Sequence, residues 1–240
     1  ITLDTTELPG LDLSATAGAD VRFTEATTGT ELKYEVESWD AATDTAKVWV
    51  KVPTITAGSA TDYIYVYYNY DGTATYDQIA ADEQAVWASG IGVYHMGEDP
   101  GPGGVGDIRD SDANPNHGTA DSSMTSGQLV AGQIGNAIYF DGSNNEIDLA
   151  YADVGDTFTI SAWIRPDSSD MGIQTIAANS SIGANTDGFR FFIQSGRIHF
   201  ETGNGSNSGS AVTGTGVINY DQWNFVAVEV DRASGLATVY

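Results

Sequence analysis

Alternation of apolar and polar positions dominates this chain. In Ala46-Lys47-Val48-Trp49-Val50-Lys51-Val52, lysines point one way and branched residues the other, and Pro53, with no N–H to give a ladder, ends the run. Tyr63-Ile64-Tyr65-Val66-Tyr67-Tyr68 is aromatic and β-branched, and the turn residues Asn69-Tyr70-Asp71-Gly72 close it. Further strands are predicted at 138–140, 158–164, 189–193, 198–200 and 223–230, and the alternation returns at 237–240. Gly, Asn, Asp and Ser clusters separate them at roughly the 8–12 residue spacing of a sandwich. A helical period shows only in Tyr76–Trp87, which carries Asp77, Asp82 and Glu83 and reads as a link between two units. The glycine- and serine-rich stretches 101–106 and 203–216 read as loops, since strand patterns resume on either side of them. The fold class is therefore all-β, with a domain boundary near residue 87.

Composition narrows the function. Nine basic residues against 33 acidic ones give 240 residues a formal net charge of −24. So few lysines and arginines argue against nucleic acid, and anionic lipid is disfavoured for the same reason. With no cysteine, disulfide scaffolds, thiolate metal sites and cysteine nucleophiles are excluded. No apolar run reaches the ~18 residues of a membrane span. The chain opens on Ile1-Thr2-Leu3-Asp4 and stops within an alternating run at Tyr240, so it is expected to be part of something longer.

Several segments resemble known families. Val93-Tyr94-His95-Met96, Asn114-Pro115-Asn116-His117-Gly118-Thr119, the run from Gly132-Gln133-Ile134-Gly135 to Asp141-Gly142-Ser143, Phe158–Pro166 and Trp223–Ala227 follow one another in an order and spacing similar to laminin-G-like domains of the concanavalin A-like lectin/glucanase superfamily. This resemblance covers about residues 87–240 and implies a jelly-roll sandwich, cut short at its C-terminus. Residues 1–86 resemble a partial extracellular domain of unknown function often found upstream of it, on Ala19–Thr24, Leu32–Asp40, Val48–Pro53 and Ile64–Asn69. That implies a smaller, truncated β-sandwich with no chemistry to carry over.

The most chemically loaded stretch is Asp107–Gly118. Asp110, Asp112, Asn114 and Asn116 set side-chain oxygens at alternate positions, a supply suited to the six to eight oxygen ligands of Ca²⁺. Pro115 stands where an EF-hand loop requires Gly. The resemblance implies calcium held by this loop with the acidic loop Asp141–Glu146, and the expected ligands are Asp110, Asp141 and a backbone oxygen of Asn116. A water-filled network of Asx turns is the competing reading.

Glu35 and Glu37 face one way along a strand. Retaining glycosidases need two carboxyls roughly 5–5.5 Å apart, and laminarinase-type relatives carry them on one strand. Here the run lies in the upstream domain, where solvated carboxylates on an outward face are the expectation. Gly101–Gly106 fits a dinucleotide fingerprint only in letters, because Pro102 and the missing helix remove its mechanism. His95 reads as a satisfied core or cleft histidine, as does His199, while His117 ties down the Asn-rich loop. Trp163 and Trp223 sit in apolar strand patterns and read as core anchors. Asn179-Ser180-Ser181 and Asn204-Gly205-Ser206 match a glycosylation sequon.

These features imply a non-enzymatic extracellular or cell-surface adhesion module that recognises glycan or a surface protein, supported by calcium. The alternatives are a spacer or fibre subunit that self-assembles through sheet edges, and a polysaccharide hydrolase acting through Glu35 and Glu37.

Overall fold

The computed structural model describes residues 1–14, 21–68, 79–101, 104, 106–149, 154–180 and 187–240. Contacts divide the chain into two compact units, Ile1–Leu149 and Ala150–Tyr240.

The first unit begins with two three-stranded antiparallel sheets. One has the order β1 (Thr2–Leu3), β5 (Thr45–Val50), β4 (Tyr34–Asp40); the other has β3 (Glu31–Leu32), β2 (Arg22–Glu25), β6 (Ile64–Tyr67). Period-two alternation gives each sheet one apolar face, and Leu3, Phe23, Leu32, Tyr34, Ala46 and Val48 meet in a shared core. Tyr34 packs edge-on to Phe23, ring centroids 5.3 Å apart, and its hydroxyl donates to the carbonyl of Val21. The predicted helix is observed as α1, Ile79–Val86, built from the helix-forming residues Ala, Glu and Gln and packed on β4; residues 76–78 of the expected helix lie outside the described residues.

Beyond α1 the chain runs through short pairs: β7 (Thr119–Ala120) with β10 (Ile147–Asp148), and β8 (Leu129–Ala131) with β9 (Asn136–Ile138). Ile108, Ala120, Met124 and Ile138 form a small core of their own. Tyr139 and Phe140, expected within a strand, follow β9 and are exposed.

The second unit is a sandwich. One sheet has the order β11 (Thr157–Ile164), β16 (Asn224–Asp231), β17 (Leu236–Val239); the other is β12 (Gln174–Ala178), β13 (Gly188–Gln194), β14 (Arg197–Gly203), β15 (Ser208–Val212). All their pairings are antiparallel. Phe158, Phe189, Phe191, Phe200, Val226 and Val228 lie in one core that draws on both sheets. β15 arises inside 203–216, expected to be loop. Ser208-Gly209-Ser210 has almost no apolar alternation, and the strand forms through its ladder to β14. Among the described residues the protein is thus all-β apart from one short helix and one 3-10 turn. Among the described residues no helix is long and apolar enough to cross a membrane.

Candidate functional site

The densest chemistry in the first unit lies on the outer face of β4 and β5. Tyr34 and Val36 turn into the core, so period two sends Glu35 and Glu37 to the opposite face. Trp49 stands directly across from Glu35 in the ladder. The register shifts between Val36 and Ser38, a bulge that re-aims the Glu37 side chain.

This face is covered, contrary to the expectation of solvated carboxylates. Glu35 keeps only 4% of its surface exposed, and the Glu35 and Glu37 side chains retain 6% and 5%. Between the carboxylates lies the imidazole of His95, Nε2 at 3.0 Å from Glu35 Oε2 and Nδ1 at 3.1 Å from Glu37 Oε2. Two indoles wall it in: Trp49 stacks on the ring at 5.3 Å and Trp87 lies tilted at 5.7 Å. Both indole N–H groups donate into the cluster, Trp49 to Glu37 at 2.7 Å and Trp87 to Glu35. The Ser111 hydroxyl donates to the other Glu35 oxygen at 2.7 Å. Glu83, from α1, is buried nearby and pairs with the guanidinium of Arg109. Gly135 closes over Glu37: its φ is +64°, and a Cβ there would lie 2.8 Å from Glu37 Oε1, so glycine is required twice over.

The charges follow from this geometry. A carboxylate only accepts, so an imidazole placed between two of them donates from both nitrogens and is an imidazolium. Burial pushes the His95 group down, but hydrogen bonding and charge from Glu35, then charge from Glu37 and Glu98, outweigh it and raise it above its ordinary 6.5. Burial likewise pushes Glu35 up; the hydrogen bond and charge of His95, with the Ser111 and Trp87 donors, hold it down at about 2. Glu83 is raised, by burial first and then by Glu35, against the pull of Arg109.

A glycosidase needs open space between its two carboxyls for the sugar and the water. Here the imidazole fills it, and three N–H or O–H donors besides His95 occupy both Glu35 oxygens and Oε2 of Glu37. A cavity beside Trp49, lined by Ile1, Lys47, Gln133 and Ile134 among others, has about 120 Å³, well under the several hundred of a ligand pocket. What the cluster can do is fasten β4 and β5 to α1 and to the segment carrying His95, Arg109 and Ser111.

The expected calcium loop is closed mainly by its own backbone. Asp110 is buried; its Oδ1 accepts from the N–H groups of Val93 and Asp112 at 2.9 and 3.0 Å, its Oδ2 from Asn116 at 2.9 Å. The carbonyl of Asn116 accepts from the Tyr94 hydroxyl at 2.5 Å. His117 Nδ1 accepts from the Asp110 N–H at 3.1 Å, which ties the loop as expected. Asp141 lies exposed in an Asx turn, its Oδ1 accepting from Ser143 N–H at 2.9 Å. Among the described residues no three His, Asp or Glu side chains gather as a metal cluster. Within this loop a buried oxygen without a hydrogen bond belongs instead to Asp112, 3% exposed: its Oδ1 accepts from Asn114 N–H, and its Oδ2 has no hydrogen-bond partner among the described residues.

In the second unit Trp163 departs from the expected core position. Phe158, Ile160, Ala162 and Ile164 take the inward face of β11, and Trp163 points outward, 43% exposed. It stands opposite Phe225, 57% exposed, with ring centroids 5.4 Å apart. Tyr240, also exposed, pairs by backbone with Ala227 and donates its hydroxyl to Glu229 on the same outer face. The apolar run of β11 covers both faces, so its pattern could not say which one was core. On the four-stranded sheet, His199 stacks on Phe192 at 4.8 Å and Arg190 lies over the same ring.

Glu83, Trp87, Arg109 and Ser111 were not assigned to this cluster from sequence. The signal that existed was the pair of adjacent-face carboxylates, which demand buried donors once a covering element is present.

Two family matches accompany this geometry. Residues 17–88 match the domain of unknown function (DUF2341), and residues 141–240 match the concanavalin A-like lectin/glucanases superfamily. Neither match includes 89–140, the stretch that supplies His95, Arg109 and Ser111. No curated protein and no solved structure matches the chain. Laminin-G-like domains of this superfamily are typically non-catalytic binding modules. The chain therefore carries a concanavalin A-like domain of the laminin-G type behind a domain of unknown function.

Proposed function

We propose that this chain is an extracellular, non-catalytic module that recognises neutral glycan through the outer face of β11, β16 and β17. One observation carries the reading: Trp163, Phe225 and Tyr240 stand exposed together on that face, beside the hydroxyls of Thr159 and Ser161. Aromatic rings stack on the C–H faces of sugars, and flanking hydroxyls supply hydrogen bonds. The charged residues paired on that face, Glu229 and Asp231, are both acidic, so an acidic sugar finds no counter-charge there. A chain of net charge −24 further repels polyanions.

Calcium is part of the proposal in a modified form. The partnerless Asp112 oxygen, in a loop rich in hard oxygen donors, supports a cation bound there. Asp110 holds the loop's shape, and Asn116 and Asp141 complete the set of candidates. Bound calcium supplies charge neutralisation and loop rigidity.

The test is a glycan array probed with the intact protein in calcium and in chelator. Binding to a neutral sugar class, stronger in calcium, is expected. A blank array in both buffers rejects glycan recognition and favours the spacer reading, in which self-assembly is then measured by sedimentation. Release of reducing sugar from a bound polysaccharide would show a hydrolase.

A further inference from the structure

The first unit carries its own aromatic surface, which the reading above does not use. Along β6, Ile64 and Val66 turn inward against the shared core. The alternate residues Tyr63, Tyr65 and Tyr67 turn outward and are 59%, 46% and 56% exposed. Residues two apart on a strand are about 7 Å apart, and here the rings close that gap. Centroids are 5.3 Å apart between Tyr63 and Tyr65 and 6.4 Å between Tyr65 and Tyr67. Among the described strands β6 pairs only with β2, so this row lies along a sheet edge.

Three contiguous exposed rings are unusual for a surface with no partner. Buried aromatics strengthen a core, whereas these expose both ring surface and hydroxyl. The charge around them selects the partner. Across the ladder, Tyr65 faces Thr24 and Tyr67 faces Arg22. The Arg22 guanidinium is engaged by Glu31 at 3.3 Å and by the carbonyl of Val21 at 2.7 Å. The local cation is therefore neutralised, and the chain as a whole is strongly negative. A polyanion gains nothing here. A neutral polyhydroxylated chain gains ring stacking and phenol hydrogen bonds at no charge cost.

We infer that Tyr63, Tyr65 and Tyr67 form a second binding surface, on the upstream domain, for single chains of neutral polysaccharide. The ring planes choose between forms of that ligand. Tyr63 and Tyr65 meet at 84° and Tyr65 and Tyr67 at 57°, so the row is a stepped ridge rather than a flat platform. A stepped ridge fits a twisting soluble chain and not the flat face of a crystalline glycan. The inference shares the class of ligand with the function proposed above but uses different residues in a different unit. With two surfaces on one chain, a polymer that reaches both gains avidity that a short oligosaccharide cannot.

The test is affinity electrophoresis of the full chain through gels containing hydroxyethylcellulose, xyloglucan, galactomannan or alginate, with a pull-down on crystalline cellulose beside it. Wild type, the triple variant Y63A/Y65A/Y67A, the single variant Y65F and W163A are compared. The tyrosines are exposed, so the variants are expected to keep the wild-type thermal midpoint. At least one neutral gel is expected to retard wild type, and the triple variant is expected to lose roughly tenfold in affinity, about 1.4 kcal/mol. Y65F is expected to stay close to wild type, because its ring is intact. A triple variant retarded like wild type, with W163A released, overturns this inference and leaves the function proposed for the second unit standing. Loss in the triple variant alone, with W163A unchanged, supports the inference and rejects that function. Retardation only by alginate, binding only to crystalline cellulose, or no retardation of wild type in any gel overturns it. So does self-association that the tyrosine substitutions abolish without any glycan effect, which would make the occupant a second copy.

Discussion

The cluster around His95 and the outer face around Trp163 invert what their residue types suggest. The first holds glutamates, a histidine and a serine, the usual tools of acid–base chemistry, and every one is engaged, the Glu35 and Ser111 groups buried and the His95 side chain only 15% exposed. The second holds three aromatic rings, Trp163, Phe225 and Tyr240, and all three stand open to solvent. Residue type announces chemistry, but access decides it. A carboxylate closed by indole, imidazole and hydroxyl donors is a fastening, while an open ring is available to a ligand.

Four outcomes would break or sharpen this contrast. The largest belongs to His95→Ala. Removing the imidazolium leaves the Glu35 and Glu37 carboxylates buried without their shared cation, and loss of about 3–5 kcal/mol is expected in denaturant unfolding of the first unit. A change under 1 kcal/mol would mean that the cluster is not closed.

Next comes acid. Glu35 titrates at about 2 when folded and near 4.5 when unfolded, so its contribution is complete above 4.5 and fades as pH falls toward 2. The expected loss is on the order of 3 kcal/mol. His95 has the opposite sign: its raised folded value gives stability that is full below 6.5 and is lost as pH rises through that folded value. Glu83, also raised, favours the acid side of neutrality. Stability measured against pH should therefore peak between about 4.5 and 6.5, and a maximum at pH 8 would contradict the assignment.

Calcium tests the loop between these regions in the sequence. At a hundredfold excess over its dissociation constant it should add roughly 2.7 kcal/mol, a rise in melting temperature that chelator removes. Asp112→Asn should abolish the rise, whereas Asp141→Asn should leave most of it. A melting temperature indifferent to chelator removes calcium from the account.

The smallest effect belongs to the open face. Trp163→Ala should weaken glycan binding about tenfold, or 1.4 kcal/mol, with the melting temperature within a few degrees of wild type. A large stability loss instead would mark Trp163 as the core anchor its sequence context suggested.

The fold was legible where one face of a strand was clearly apolar. Ala46–Val50, Ile64–Tyr67, Phe158–Ile164 and Asn224–Val230 all form strands as the alternation indicates. Ser208–Val212 was not, because a strand of Ser, Gly and Ala is held by its ladder and leaves no hydrophobic trace. The cluster was half legible. Period two places Glu35 and Glu37 together, but whether they meet water or an indole depends on what α1 and the segment from His95 to Ser111 cover. Trp163 failed for a related reason: in Phe-Thr-Ile-Ser-Ala-Trp-Ile the small Ala162, not the large neighbour, occupies the inward position.

The most direct measurement is a glycan array with wild type and Trp163→Ala side by side, each in calcium and in chelator. Binding of wild type to a neutral sugar class, weakened by the substitution and without sugar release, is the predicted result. A blank array for wild type, or equal binding by both proteins, would contradict the claim that the open aromatic face is where this chain does its work.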